Sequence, residues 1–475
     1  MIRYRRSAVA LGLTALVLTG CAVGPNFKTP AAPVSTVYAP SIGPTPADQT
    51  LHAGQAVAAD WWRAFGSPAL DAMVEEALRA NPDLKSAGAA LRQARELLAA
   101  QRGAFWPSAN LSYQAQRAKT SDALQPVTAN NASLYSLHTA QVEIDYSPDV
   151  FGGVRRATEA AKAQAENQRF EYEAARTSLI ANVLSGAIQA AALQAQLDAA
   201  VKAAAAGRDI LAFTRRQVEL GALGQADLAA QETALSQAEQ AVPTLQKALG
   251  QQQTALAILL GREPGQGLPT VPSLDQIALP ADLPSILPAE LVRQRPDVRA
   301  AEANLHVASA QVGVAIAARI PDISLSALAG GASLGLQDLL TRGNDFWTLT
   351  AGVTQPVFAG GALLHRQKAA EAALDQAKAQ YRSAVLSALK NVADCLDALS
   401  RDADALKSAQ VAASGARRGL AFAERQTALG ETGALQARLA VQTYAQAQGA
   451  LVVAQAARYG DTAALFQALG GGWRN

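Results

Sequence analysis

The chain has 475 residues and a formal net charge of +2, with charged residues at 17% and aromatics at 5%. Ala, Gln and Leu fill the shortfall against an average soluble domain, and all three favour helix. A near-neutral chain with no basic cluster interleaved with aromatics gives polyanions nothing to hold, which excludes nucleic-acid binding.

In chain order, Arg3, Arg5 and Arg6 precede an apolar run too short to span a bilayer, so residues 1–20 read as a signal peptide. It ends in Leu18-Thr19-Gly20-Cys21, which resembles the bacterial lipobox, where cleavage before Cys frees a thiol and an amine for acylation. Cys21 is thus the expected lipidation site, and Ala22 in place of Asp implies sorting to the outer membrane. That leaves Cys395 without a disulfide partner; it reads as a small buried helix residue. Residues 21–60, rich in Pro, Ala and Thr without a period, read as a lipid-anchored tether. No uninterrupted apolar run of about 18 residues follows, so any crossing of a membrane must use strands.

The rest is a duplication. LAFTRRQVELGALG (211–224) returns 209 positions later as LAFAERQTALGETG, and 81–112 aligns without a gap on 295–326 at an offset of 214. The units run from 61–261 and 295–475, with 262–294 as an equatorial linker. Each opens on a helix started by Pro82 or Pro296. Its seam is spaced by sevens, Leu84, Leu91 and Leu98 matching Val298, Leu305 and Val312. After Pro107 and Pro321 the period falls to two. Leu111, Tyr113, Val142, Ile144, Leu325, Trp347 and Leu349 alternate with polar neighbours over strands at about 107–118, 134–148, 321–329 and 346–356. That alternation is the signature of membrane barrel strands. Long Pro-free helices follow, and each stops at a paired-glycine turn, Gly221 with Gly224 and Gly430 with Gly433. Four strands cannot close a barrel, since the smallest have about eight. Several chains must therefore pool their strands, and their helices with them.

The residues also show what is missing. His52, His138, His306 and His365 are scattered, with no metal-ligand spacing, phosphate loop or nucleophile elbow among the motifs. No enzyme or cofactor is expected beyond the lipid on Cys21. His306, aligned with Arg92, reads as a polar helix-face residue.

The sequence resembles the TolC-type outer membrane efflux ducts, and within them the NodT-like lipoprotein subgroup of resistance–nodulation–division efflux systems. CAVGPNFKTP (21–30), DWWRAFGSPALDAMVEEAL (60–78), LPSILPAELVRQRPDVRAAE (283–302) and QPVFAGG (355–361) carry the resemblance. It implies a mainly α fold with a membrane β-barrel portion: two tandem helix–β-hairpin–helix repeats, three copies forming a twelve-stranded barrel on a periplasmic α-helical barrel. It further implies multidrug-type efflux, passively conducting small molecules from a periplasmic adaptor and an inner-membrane pump to the exterior. The glycine turns become adaptor-docking tips. At the gate the family's inward-facing acids align with Gln436 and Leu439, so the acid ring is missing. Leu435 aligns with an apolar constriction, Asp227 with an acid of the first turn, and Thr432 stands where some relatives have its basic partner. The alternatives are a pore-less coiled-coil lipoprotein and the outer membrane duct of a protein secretion system.

Overall fold

The computed structural model describes residues 22–39, 46, 48–121, 134–429 and 434–473. Cys21, Gly430, Thr432, Gly433 and the expected signal peptide lie outside them. In chain order come β1 (Thr50–Ala53), α1 (Pro68–Ala80), α2 (Pro82–Gly103), β2 (Ser108–Lys119), β3 (Leu134–Tyr146), α3 (Gly153–Glu219) and α4 (Gln225–Leu259). Then follow β4 (Asp282–Ser285), α5 (Pro288–Gln294), α6 (Pro296–Ala317), β5 (Asp322–Ser333), β6 (Asp345–Thr354), α7 (Ala362–Ala428) and α8 (Ala434–Ala468). The duplication is explicit in these bounds. Both α2 and α6 have 22 residues, α3 and α7 have 67, and α4 and α8 have 35. The offset stays 214 through β2 and β5, then becomes 209 from α3 and α7 onward.

Packing divides the chain into two compact units, and α2, α3, α6 and α7 contribute residues to both. The first contains residues through Thr29, Leu91–Asn167 and Ala301–Tyr381. Its centre is one antiparallel sheet in the order β2-β3-β5-β6, so the hairpins of the two repeats join along β3 and β5. The outer edges of β2 and β6 are unpaired among the described residues.

The second unit contains Pro30–Ala90, Gln168–Ala300 and the chain from Arg382 onward. Its buried seam includes Val183, Leu184 and Ile188 of α3 with Leu256 of α4. Gly186 lets α4 approach: a Cβ there would lie 3.2 Å from the Gln252 amide, whose nitrogen donates to the Gly186 carbonyl. α3 also holds an 18-residue window apolar enough for a membrane span, but 67% of it is buried in the protein, which marks it as core. Trp61 stacks on Phe466, and the C-terminal residues Gly470, Gly471 and Gly472 all take positive φ as they wind into a crevice beside Thr177 and Ala58.

The segment expected as a tether and the equatorial linker each supply a short strand: β1 pairs in parallel with β4, Leu51 opposite Leu283. The backbone polar groups of both segments satisfy each other there. Side chains complete the docking: Gln49 donates to the Pro280 carbonyl and Thr462 Oγ1, and Tyr38 donates to the Ile286 carbonyl. Four-residue strands leave no periodicity to read. Cys395 is only partly buried; that burial still pushes its thiol up to about 11, leaving it inert.

Between α7 and α8, burial, a hydrogen bond with Asp402 and that residue's charge push Asp461 up to about 7, with Arg458 pulling the other way. The folded chain therefore holds a proton that the unfolded chain releases near 3.8. The stability this proton confers is present below about pH 4 and lost as pH rises towards 7. Melting of the purified protein should accordingly rise on acidification from pH 7.5 to 5, and Asp461→Asn should flatten that dependence. An unchanged slope in the variant would assign the pH response elsewhere.

Candidate functional site

The sheet sorts its side chains by chemistry. Register places Leu111, Val142, Ala329 and Trp347 in one row across all four strands, and Ala109, Ile144, Ala327 and Leu349 in the next. Paired residues share a face, so these rows form one continuous apolar surface. That surface faces outward: Trp347 is 77% and Leu349 73% exposed. The opposite face carries Asn110, Glu143 and Thr348 in one row and Ser108, Asp145, Ser326 and Thr350 in another, with Leu137, Leu328 and Phe346 among its apolar exceptions. A sheet apolar on its open face and polar on the other separates lipid from water.

The segment after Cys21 is held in the same unit. Arg156 of α3 is buried and donates to the carbonyls of Ala22, Val23 and Gly24 and to Asn26 Oδ1. Glu159 accepts from Arg156 at 2.7 Å and meets His306 Nε2 at 2.8 Å, and His306 stacks on Phe27. Burial pushes the Glu159 carboxyl up, but the bonds to His306 and Arg156 outweigh it and hold it below the usual carboxylate range. His306 is therefore a tie between α6 and the N-terminal segment, not a simple face residue. Gly24 abuts Gly313, with 2.5 Å between its would-be Cβ and the Gly313 Cα. Ala22, one peptide bond from Cys21, is thus fixed beside Gly152 at the foot of the sheet.

At the far end of the helices the first turn is fully described. The Gly221 amide donates to the Val218 carbonyl and the Ala222 amide to the Gln217 carbonyl, with Gly221 at φ 71°. This pair of bonds is the Schellman end of a helix, which favours glycine. Gly224 differs: its φ is −89°, an ordinary value, and it serves as the N-cap of α4. Asp227 accepts from the Gly224 amide at 3.0 Å, so the carboxylate read as a secondary gate charge caps a helix. Arg208 pairs with Glu239 and Arg215 with Glu232, bracing α3 against α4. The equivalent positions in the second repeat hold Arg417 with Gln448 and Glu424 with Val441, which cannot form those pairs. Of the gate positions, Leu435 is half-buried while Gln436 and Leu439 are exposed, all on the first turns of α8. Arg438, on the same turns, sets its guanidinium 5.1 Å from the Phe213 ring and so joins the repeats. Sequence reasoning passed over Arg438; its equivalent in the first repeat is Ala229, so the duplication gave no signal.

A family model described as outer membrane efflux protein matches residues 73–262 and 287–471. The chain belongs to the outer membrane efflux protein family. It is a channel of the outer membrane and not an enzyme. Among its relatives, the pyoverdine export outer membrane protein OpmQ of Pseudomonas putida is 29% identical over 87% of this chain and 88% of its own length. The toluene efflux pump outer membrane protein TtgC of Pseudomonas putida is 28% identical over 98% and 96%. The solved outer-membrane channel OprN superposes with a TM-score of 0.82 at 26% identity, over 95% of this chain and all of that one. The efflux family thus spans both repeats.

Proposed function

We propose that three copies assemble into the outer membrane conduit of a tripartite efflux system, each donating four strands to a twelve-stranded barrel and its helices to a periplasmic tube. The observation that carries this is the four-stranded sheet, apolar and exposed on one face, with the edges of β2 and β6 unpaired among the described residues. Open edges in lipid would cost several kcal/mol per orphan group, so the edges must meet those of other copies. Conduction is passive. The two relatives named for pyoverdine and toluene are 29% and 28% identical to this chain, nearly the same distance, which supports a duct whose substrate is set by its pump. A periplasmic adaptor and an inner-membrane pump of the resistance–nodulation–division type complete the system.

Cys21 carries the lipid in this reading, and the seat made by Arg156 supports it by holding Ala22 at the foot of the sheet. One acyl chain binds membranes marginally, and three in a trimer add to the barrel's own insertion. The turns at Gly221, Gly224, Gly430 and Gly433 dock the adaptor. The closed tip is sealed by a ring of Leu435, with Gln436 and Leu439 unable to supply an acid ring.

Mass measurement in mild detergent together with single-channel recording tests the conduit: a stable monomer, or a trimer without conductance, overturns it. Gly221→Asp and Gly430→Asp should abolish export while outer-membrane trimers persist. If both variants still export, the turns serve the backbone alone. In the same recordings Leu435→Ala should raise closed-state conductance and Asp227→Ala should change it less; the reverse order would restore an acid lock.

A further inference from the structure

We infer that the far end of the sheet carries a binding site for the phosphorylated glycolipid of the outer leaflet, built by the β5–β6 loop and two strand cations. The loop, residues 334–344, lies at the end of the sheet away from α6 and α7. It does not project from the sheet. A Cβ on Gly331 would lie 2.2 Å from the Leu339 carbonyl oxygen, and Gly331 shares the apolar face with Ala329. The loop therefore folds back over the lipid-facing side, where Leu339 is only 9% exposed. Its shape is built: Thr341 and Asn344 both donate to the Asp338 carbonyl, and the Gly343 amide donates to Asp345.

Between loop and sheet runs a groove of about 510 Å³ lined by Leu111, Val142, Ala329, Leu339 and Arg342. Beside it Leu340 is 91% exposed, an odd choice for a loop in water and a natural one for a loop in acyl chains. The groove continues the apolar face that meets the membrane, so its occupant is a lipid.

Charge selects which lipid. On the same face and at the same end, Arg117 and Lys119 of β2 stand exposed, with Arg342 on the loop. None of the three makes an ion pair with another described residue. Among the described residues the acids of the loop and its flank are Asp338 and Asp345, the latter engaged with the Gly343 amide. From the Gly331 row that the loop covers, Arg117 stands two strand spacings across, about 10 Å, and four residues along the strand, about 13 Å. A disaccharide headgroup with a phosphate at each end fits cations so separated, and a single-phosphate lipid engages only one of them. The inference rests on the outer-membrane setting and not on the docking or gating readings.

Native mass spectrometry of full-length trimers released from nanodiscs of phosphatidylethanolamine, phosphatidylglycerol and bisphosphorylated lipid A tests it. Wild-type trimers should retain lipid A over phosphatidylglycerol, with retention falling about fivefold for each cation removed in Arg342→Ala and Arg117→Ala. Gly331→Ala, which lifts the loop without touching either cation, should lower retention as well. Because a variant can fail to assemble, the wild-type protein supplies a second reading: monophosphorylated lipid A should be held more weakly than the bisphosphorylated form. Equal retention of the two forms, preference for phosphatidylglycerol, or unchanged retention in assembled Arg342→Ala/Arg117→Ala trimers overturns the site.

Discussion

Leu349→Arg should cost about 2–4 kcal/mol of membrane-inserted stability, whereas Ser324→Arg should cost little. The two residues sit on adjoining strands, and they differ in the face they occupy. Leu349 is opposite Ala327 in an apolar row, and Ser324 is opposite Gly352 in a polar one. An arginine on the first face must bring its guanidinium into hydrocarbon or thin the bilayer around it. On the second it enters water, with room above Gly352 to extend. Urea titration of trimers refolded into lipid, followed by the fraction that stays assembled, reads both costs. Equal losses would mean that the apolar face is not the membrane face.

The second large effect is at the C-terminus. Gly472→Ala should destabilise the second unit by about 2–5 kcal/mol, from left-handed backbone strain together with overpacking. Gly472 has φ 69°, and a Cβ there would lie 1.8 Å from the Ala58 carbonyl oxygen, a backbone atom that cannot swing aside. Its neighbour Trp473 donates its indole N–H to the Gln294 carbonyl and sets its edge against Phe170, so displaced backbone would pull an anchor with it. Gly265→Ala, with nothing within 4 Å, is the control and should stay within about 0.5 kcal/mol. If the two variants melt together, the glycine run is not a packed wedge.

These effects mark where the sequence was readable. Alternation in β2, β3, β5 and β6 announced the sheet because a lipid-facing side imposes a strict period on every strand. The 209-residue offset announced the paired helices because both copies must bury the same seam. What stayed hidden depends on partners far apart in the chain. β1 pairs with β4 over four residues, too few for a pattern, and Gly472 meets Ala58 from the other end of the sequence. At the first turn, sequence suggested two conformationally demanding glycines, and of that pair Gly221 is the one that needs its freedom. The N-cap of a helix accepts many residues at φ −89°, so Gly224 is there for another reason than strain. Arg438 was silent because its contact, Phe213, belongs to the other repeat.

The joint between β3 and β5 holds one more thing: a ruler for the contact between copies. It is the seam where the end of one repeat meets the start of the next, with Ile144 opposite Ala327 and Val142 opposite Ala329. The proposed ring of copies would form the same kind of seam between β6 of one and β2 of its neighbour. Carrying the pairs across by the two offsets, 209 for β3 to β6 and 214 for β2 to β5, sets Val353 opposite Tyr113 of the next copy and Ala351 opposite its Ala115. Duplication within a single gene product has thereby written the alignment of separate chains into each of them.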